Sequence, residues 1–151
     1  MYDIVKCEAD PKKFGFEKFF FLDSARPKII ECENVMAAAE NYKNRKVLVM
    51  LRDFAFDEGS MKLIAEKKQA CFLIDIGRLI RSRGIGRAIA ISKIRTFLSL
   101  CNRFGALYAF ASFSEKESDV RSAGELENIS LLFDINRGQA KFALRMIGQY
   151  L

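Results

Sequence analysis

Short apolar runs alternate with longer segments of helical period along the whole chain, and no other feature constrains its fold as strongly. Strands are expected at 2–7, 18–24, 28–33, 46–52, 70–76 and 106–113, with LLFDI (131–135) as a final short one. Helices are expected at 34–44, 57–68, 87–104, 122–131 and 139–150. Strand and helix taken in turn make a parallel sheet with right-handed crossovers, either open and doubly wound or curved into a barrel. The expected class is therefore α/β, built of repeated βα units in one domain spanning residues 1–151. A complete eight-fold barrel takes ~250 residues and rarely fewer than 200, so a chain of 151 residues has room only for a shortened one.

Local signals support these boundaries. Asn34 stands as the N-cap of an Ala-rich helix, Asp57 and Glu58 place negative charge at the start of the next, and Gly105 stops the longest one. In that longest helix, Ile91, Ile94, Leu98 and Cys101 form the inward stripe. ACFLIDI (70–76) is apolar almost throughout, as suits a parallel strand covered on both faces. Crowding among Phe14, Phe16, Phe19, Phe20 and Phe21 marks core packing rather than a base-stacking platform.

Cys7, Cys32, Cys71 and Cys101 are separated by 25, 39 and 30 residues, which fits no metal or redox spacing. They read as unpaired thiols of a reducing compartment. No secretory leader pattern and no apolar run of membrane-spanning length is present, so a cytoplasmic protein without a membrane partner is expected. The chain contains no histidine. That excludes Ser-His-Asp and Cys-His catalysis and histidine-ligated zinc.

The net charge of +6 is concentrated in one place. Residues 78–104 carry seven basic and no acidic side chains, and the rest of the chain is close to neutral. Within this segment, GRLIRSRGIGR (77–87) reads as a loop holding Arg78, Arg81, Arg83 and Arg87, with Lys93, Arg95 and Arg103 on the following helix. The loop follows a parallel strand and precedes a helix, where α/β proteins place ligands. Gly84 and Gly86 are expected to permit positive φ, and arginine forks bind phosphate bidentately. A dinucleotide motif is incomplete, because G-x-G-x-x-G would require glycine at Ile89. Four arginines without a neighbouring acid suit the several phosphates of a nucleic-acid backbone, the alternative being a solvated basic loop.

Asp23, Asp53 and Asp75 fall at or near strand ends, where carboxylates gather around Mg²⁺ in barrel enzymes or, more simply, cap helices and pair with cations. Ser112, Ser114, Asp119 and Arg121 follow the strand at 106–113. Without a base nearby, hydrogen bonds to phosphate or helix capping are the expected roles of these serines.

From residue 61 onward the chain resembles the archaeal and eukaryotic ribonuclease P protein component three, through KLIAEKKQACFLIDIGRLI (62–80), ALYAFASFSEKESDVRSAGELENISLLFDIN (106–136) and GQAKFALRMIGQYL (138–151). The first 60 residues match as a shortened βα rhythm. The resemblance implies a shortened TIM-barrel-like fold and a noncatalytic protein subunit of the endoribonuclease that removes the 5′ leader from precursor tRNA. It implies that the partner RNA performs the Mg²⁺-dependent chemistry, with no cofactor or metal on the protein. The implied partners are the ribonuclease P RNA, precursor tRNA and a smaller ferredoxin-like protein subunit. The family's basic positions match at Lys68, Arg121 and Lys141 and loosely at Arg103, and its expected proline after Arg121 is replaced by Ser122 and Ala123. The candidate RNA-binding set is thus Lys68, Arg78, Arg81, Arg83, Arg87, Arg103, Arg121 and Lys141. Two other readings stay open: a stand-alone βα phosphohydrolase using the same loop with Asp23 or Asp75, and a basic segment that meets an acidic protein partner.

Overall fold

The computed structural model describes all 151 residues. In chain order the elements are β1 (Tyr2–Val5), β2 (Lys18–Phe21), α1 (Leu22–Ala25), β3 (Ile29–Cys32), α2 (Val35–Tyr42), β4 (Leu48–Leu51) and α3 (Glu58–Lys67). They continue with β5 (Cys71–Asp75), α4 (Ile76–Arg81), α5 (Gly84–Phe104), β6 (Tyr108–Ala111), α6 (Ala123–Ser130) and α7 (Arg137–Met146). Every strand pair is parallel: β1 lies on β2, and β3, β4, β5 and β6 form a second sheet in that order.

Backbone hydrogen bonds join the two sheets. Lys6 N–H donates to the Ser114 carbonyl at 2.8 Å, and Phe113 N–H donates to the Ile4 carbonyl at 2.9 Å. The strands therefore run β2, β1, β6, β5, β4, β3 around an incomplete wall, and β2 and β3 share no ladder. This is the shortened βα-repeat fold expected from the sequence.

The two-residue period of each strand sorts its side chains between the inside and outside of the wall. Ile4, Leu48, Cys71, Leu73, Ala109 and Ala111 form one buried cluster inside it, which Met146, Ile147 and Tyr150 close from the chain's end. Val5, Val49, Phe72, Ile74 and Phe110 belong to the larger cluster beneath the helices, with Met61, Ile64, Phe97, Leu98 and Leu144. Small alanines face inward on β6 and large aromatics face outward, because six strands enclose little space while the helices supply a broad apolar cover.

Several helix ends match the sequence reading. Asn34 accepts from Ala37 N–H at 3.0 Å, Asp57 accepts from Ser60 N–H at 2.9 Å, and Gly105 adopts the left-handed conformation at φ 79. The four cysteines are free, with Cys32, Cys71 and Cys101 buried. Of the crowded phenylalanines, Phe16 and Phe19 are buried and Phe21 is exposed.

The last residues of the expected strand at 18–24 instead form the helix α1, and two larger expectations fail. The presumed loop at 77–86 is mostly helix: α4 begins directly after β5, and a short break precedes α5, which starts at Gly84 rather than Arg87. Asp75 caps α4 by accepting from Arg78 N–H at 2.8 Å, a signal hidden in an apolar strand. The presumed strand at 131–135 is a single 3-10 turn, Leu131–Phe133, continuing α6. β1 already pairs with the chain just beyond β6, at Phe113 and Ser114, and Phe133 instead places its ring 5.8 Å from that of Phe110.

Candidate nucleic-acid interface

Asp75 ends β5 and organises the corner that follows. Besides capping α4, its carboxylate lies 3.8 Å from the Arg81 guanidinium, which also donates to the Ser112 carbonyl at 3.5 Å. Burial raises the Asp75 carboxyl above the ordinary carboxylate range, opposed by the Arg78 N–H and the charges of Arg81, Arg78 and Lys6. Ser82 donates its hydroxyl to the Leu79 carbonyl at 2.7 Å and ends α4. Gly84 then takes φ +60, a conformation that disfavours a side chain, and the chain turns into α5. Gly86 is helical and needs no such freedom.

Arg78, Arg81, Arg83 and Arg87 thus stand exposed on the α4–α5 corner that follows the C-terminal end of β5. Arg87 is steadied by donating to the Ile80 carbonyl at 2.9 Å. Arg83 occupies the N-cap position of α5 without a side-chain capping bond, leaving N–H groups of the first turn open to an anion. Of these four, only Arg81 has an ion-pair partner inside the protein.

The other expected contacts lie elsewhere. Arg103 is 16 positions along α5 from Arg87, about 24 Å at 1.5 Å per residue, and its guanidinium sits 5.3 Å from the Phe104 ring centroid. Lys68 ends α3 in the left-handed conformation and precedes β5, opposite the Asp75 end of that strand. Lys141 lies on α7, exposed. That helix begins beside Gly105 and Ala106, and the segment after it ends with Tyr150 bonded to the Gln69 carbonyl at 2.8 Å. Lys68, Arg103 and Lys141 therefore belong to the N-terminal side of the sheet. Arg121 is half-buried just ahead of α6. The eight residues do not form a single site.

Beside the arginine corner, a cleft of about 400 Å³ opens at the ends of β4 and β5. Phe54 and Asp53 on the segment after β4 form one wall, and Ile89, Ala90 and Lys93 on α5 form another. Arg78 reaches it from α4. Sequence reading missed this cleft because its walls are more than 30 positions apart. The only local signal is the spacing of Ile89 and Lys93, one turn apart on the exposed half of α5.

The three strand-end aspartates do not converge. Asp23 pairs with Arg26, Asp53 accepts from Ala55 N–H and Asp75 caps α4. No group of three or more Cys, Asp or Glu side chains is gathered at metal-binding distance. Ser112 and Ser114 are also not available for phosphate contacts, since both are buried. They bond to each other at 2.8 Å, and Ser112 donates both its N–H and its hydroxyl to Asp3. Burial pushes the Asp3 carboxyl up to about 6 despite these bonds.

No family profile and no curated protein matches this sequence. Solved structures do provide a match. A chain of archaeal ribonuclease P has this fold. It comes from the cryo-EM structure of archaeal ribonuclease P with mature tRNA, with a TM-score of 0.67 and 14% sequence identity over 99% of this chain and 78% of that one. The similarity spans the first 60 residues as well as the rest, so the βα rhythm of the N-terminal part belongs to the same architecture.

Proposed function

We propose that this protein is a noncatalytic subunit of ribonuclease P that supports the catalytic RNA through backbone phosphates. The observation that carries this reading is the corner formed by Arg78, Arg83 and Arg87, three cations without an acidic partner, on a fold shared with a chain of archaeal ribonuclease P. Guanidinium forks and the open first turn of α5 match the geometry and charge of phosphate. The RNA supplies the Mg²⁺-dependent cleavage, and precursor tRNA is the substrate of the assembly. A smaller ferredoxin-like subunit is its protein partner. Lys68, Arg103 and Lys141 serve a second contact at the other end of the sheet.

The test is reconstitution with a ribonuclease P RNA and precursor tRNA. Replacing Arg78, Arg83 and Arg87 together by alanine should weaken RNA binding and flatten the dependence of log K on log salt by roughly one unit per lost phosphate contact. Cleavage stimulated by the protein should fall in parallel. Unchanged binding and cleavage would overturn the reading, and turnover of a phosphorylated small molecule by the protein alone would favour the phosphohydrolase instead.

A further inference from the structure

The cleft beside the arginine corner has a composition that backbone binding does not require. Phosphates need cations, yet nine of its 16 lining residues are hydrophobic. A wholly apolar ligand, conversely, would have no use for the unpaired Arg78 and Lys93 at its rim. Its volume of about 400 Å³ falls within the ~300–1,000 Å³ of small-ligand sites. This mixed lining suits a ligand that combines a flat apolar group with an anion.

Phe54 supplies the flat surface. Its ring is held 5.1 Å from that of Phe97, which in turn meets Phe72 edge-on at 5.0 Å, so a chain of buried rings steadies it from below. On the α5 side of the cleft, Ile89 is 50% exposed and offers an aliphatic surface to a ligand. The acidic groups also fit. One Asp53 oxygen accepts from Ala55 N–H while the other has no hydrogen-bond partner, and Asp75 is committed to α4 and Arg81. Arg52, which also lines the cleft, is neutralised by Glu31 and Glu33.

We infer that this cleft receives a nucleotide monophosphate unit, namely one unpaired nucleotide of an RNA strand. Its base lies between Phe54 and Ile89, and its phosphate lies on Arg78 and Lys93. The free oxygen of Asp53 accepts from an exocyclic amine, which favours adenine, guanine or cytosine over uracil. The inference rests on the RNA-binding reading and makes it specific: the corner holds the backbone, and the cleft captures a base that leaves the helix. Sequence-tolerant stacking on aromatic side chains is how proteins commonly hold unpaired bases.

Binding of short oligoadenylate, oligouridylate and fully paired duplex RNA to the full chain tests this. Oligoadenylate should bind more tightly than oligouridylate, and AMP should compete with it better than UMP. Phe54→Ala and Ile89→Ala should each weaken oligoadenylate on the order of ten-fold while leaving duplex affinity unchanged. Ile89 lies at a half-exposed helix position, so that variant stays informative even if Phe54→Ala disturbs the core. AMP binding that is lost in both variants while oligoadenylate is unaffected would overturn the assignment to an RNA strand and leave a free nucleotide as the ligand. Oligoadenylate affinity and AMP competition that ignore both substitutions would overturn the inference. Retention in that case of the salt-slope loss on replacing Arg83 and Arg87 would leave the backbone reading intact.

Discussion

Gly77 in α4 rests directly on the Ser112 carbonyl beyond β6: a Cβ at position 77 would lie 1.7 Å from that oxygen and 2.8 Å from the Arg81 guanidinium. The contact lets a helix begin immediately after β5 and lie flat against the neighbouring strand's end. It therefore sets the position of the whole arginine corner.

Gly77→Ala should be among the most damaging single substitutions in the chain, because the obstructing atom is backbone rather than a movable side chain. A loss of at least about 3 kcal/mol is expected, at the upper end of overpacking costs. Urea denaturation measures it. A variant of wild-type stability would show that α4 can lift away without cost.

The seam between β1 and β6 should make stability depend on pH. Asp3 is buried and its carboxyl rises from 3.8 to about 6 on folding, so the native state binds this proton more tightly than the unfolded chain. The associated stability is fully present below about 3.8 and is lost as pH rises through about 6, by up to about 3 kcal/mol. Asp75, also raised by burial, acts in the same sense. Glu17, Asp57, Glu115 and Glu125 are lowered by their hydrogen bonds and act oppositely at more acidic pH. Asp3→Asn keeps an acceptor for the Ser112 N–H and should remove most of the slope between about pH 4.5 and 7, read by denaturation across that range.

Arg81 and Arg83 should separate a structural role from a binding one. Arg81 is held by Asp75 and the Ser112 carbonyl, whereas Arg83 has neither an ion-pair nor a side-chain capping partner. Arg81→Ala should lower stability by under about 1 kcal/mol and change the salt slope of RNA binding little. Arg83→Ala should leave stability unchanged and reduce that slope by about one unit. Paired denaturation and binding titrations check both.

The capping boxes of α6 and α7 offer a simpler test. Ser122 with Glu125, and Asn136 with Gln139, each exchange two hydrogen bonds across a first turn. Ser122→Ala and Asn136→Ala should each cost about 1 kcal/mol, and their sum should describe the double variant. Thermal or urea unfolding of the three proteins supplies the comparison.

By itself the sequence determined the succession of parallel βα units, several helix ends such as Asn34, Asp57 and Gly105, and the concentration of positive charge after β5. These are local properties: hydrophobic period, short-range capping and chain charge are present in any contiguous stretch. Tertiary structure decided that 76–81 is a helix, that 131–133 is a turn and that the eight expected RNA contacts divide between the two ends of the sheet. It also buried Ser112 and Ser114 against Asp3 and brought Phe54 and Ile89 to the lining of one cleft. Each of these outcomes depends on groups distant in sequence: the Ser112 carbonyl that admits only glycine at 77, the pairing of β1 with the chain just beyond β6, and the length of α5 between Arg87 and Arg103. Patterns within a segment reveal which face is apolar and which residues are charged. Only packing reveals which neighbour that face meets and which charges remain without a partner.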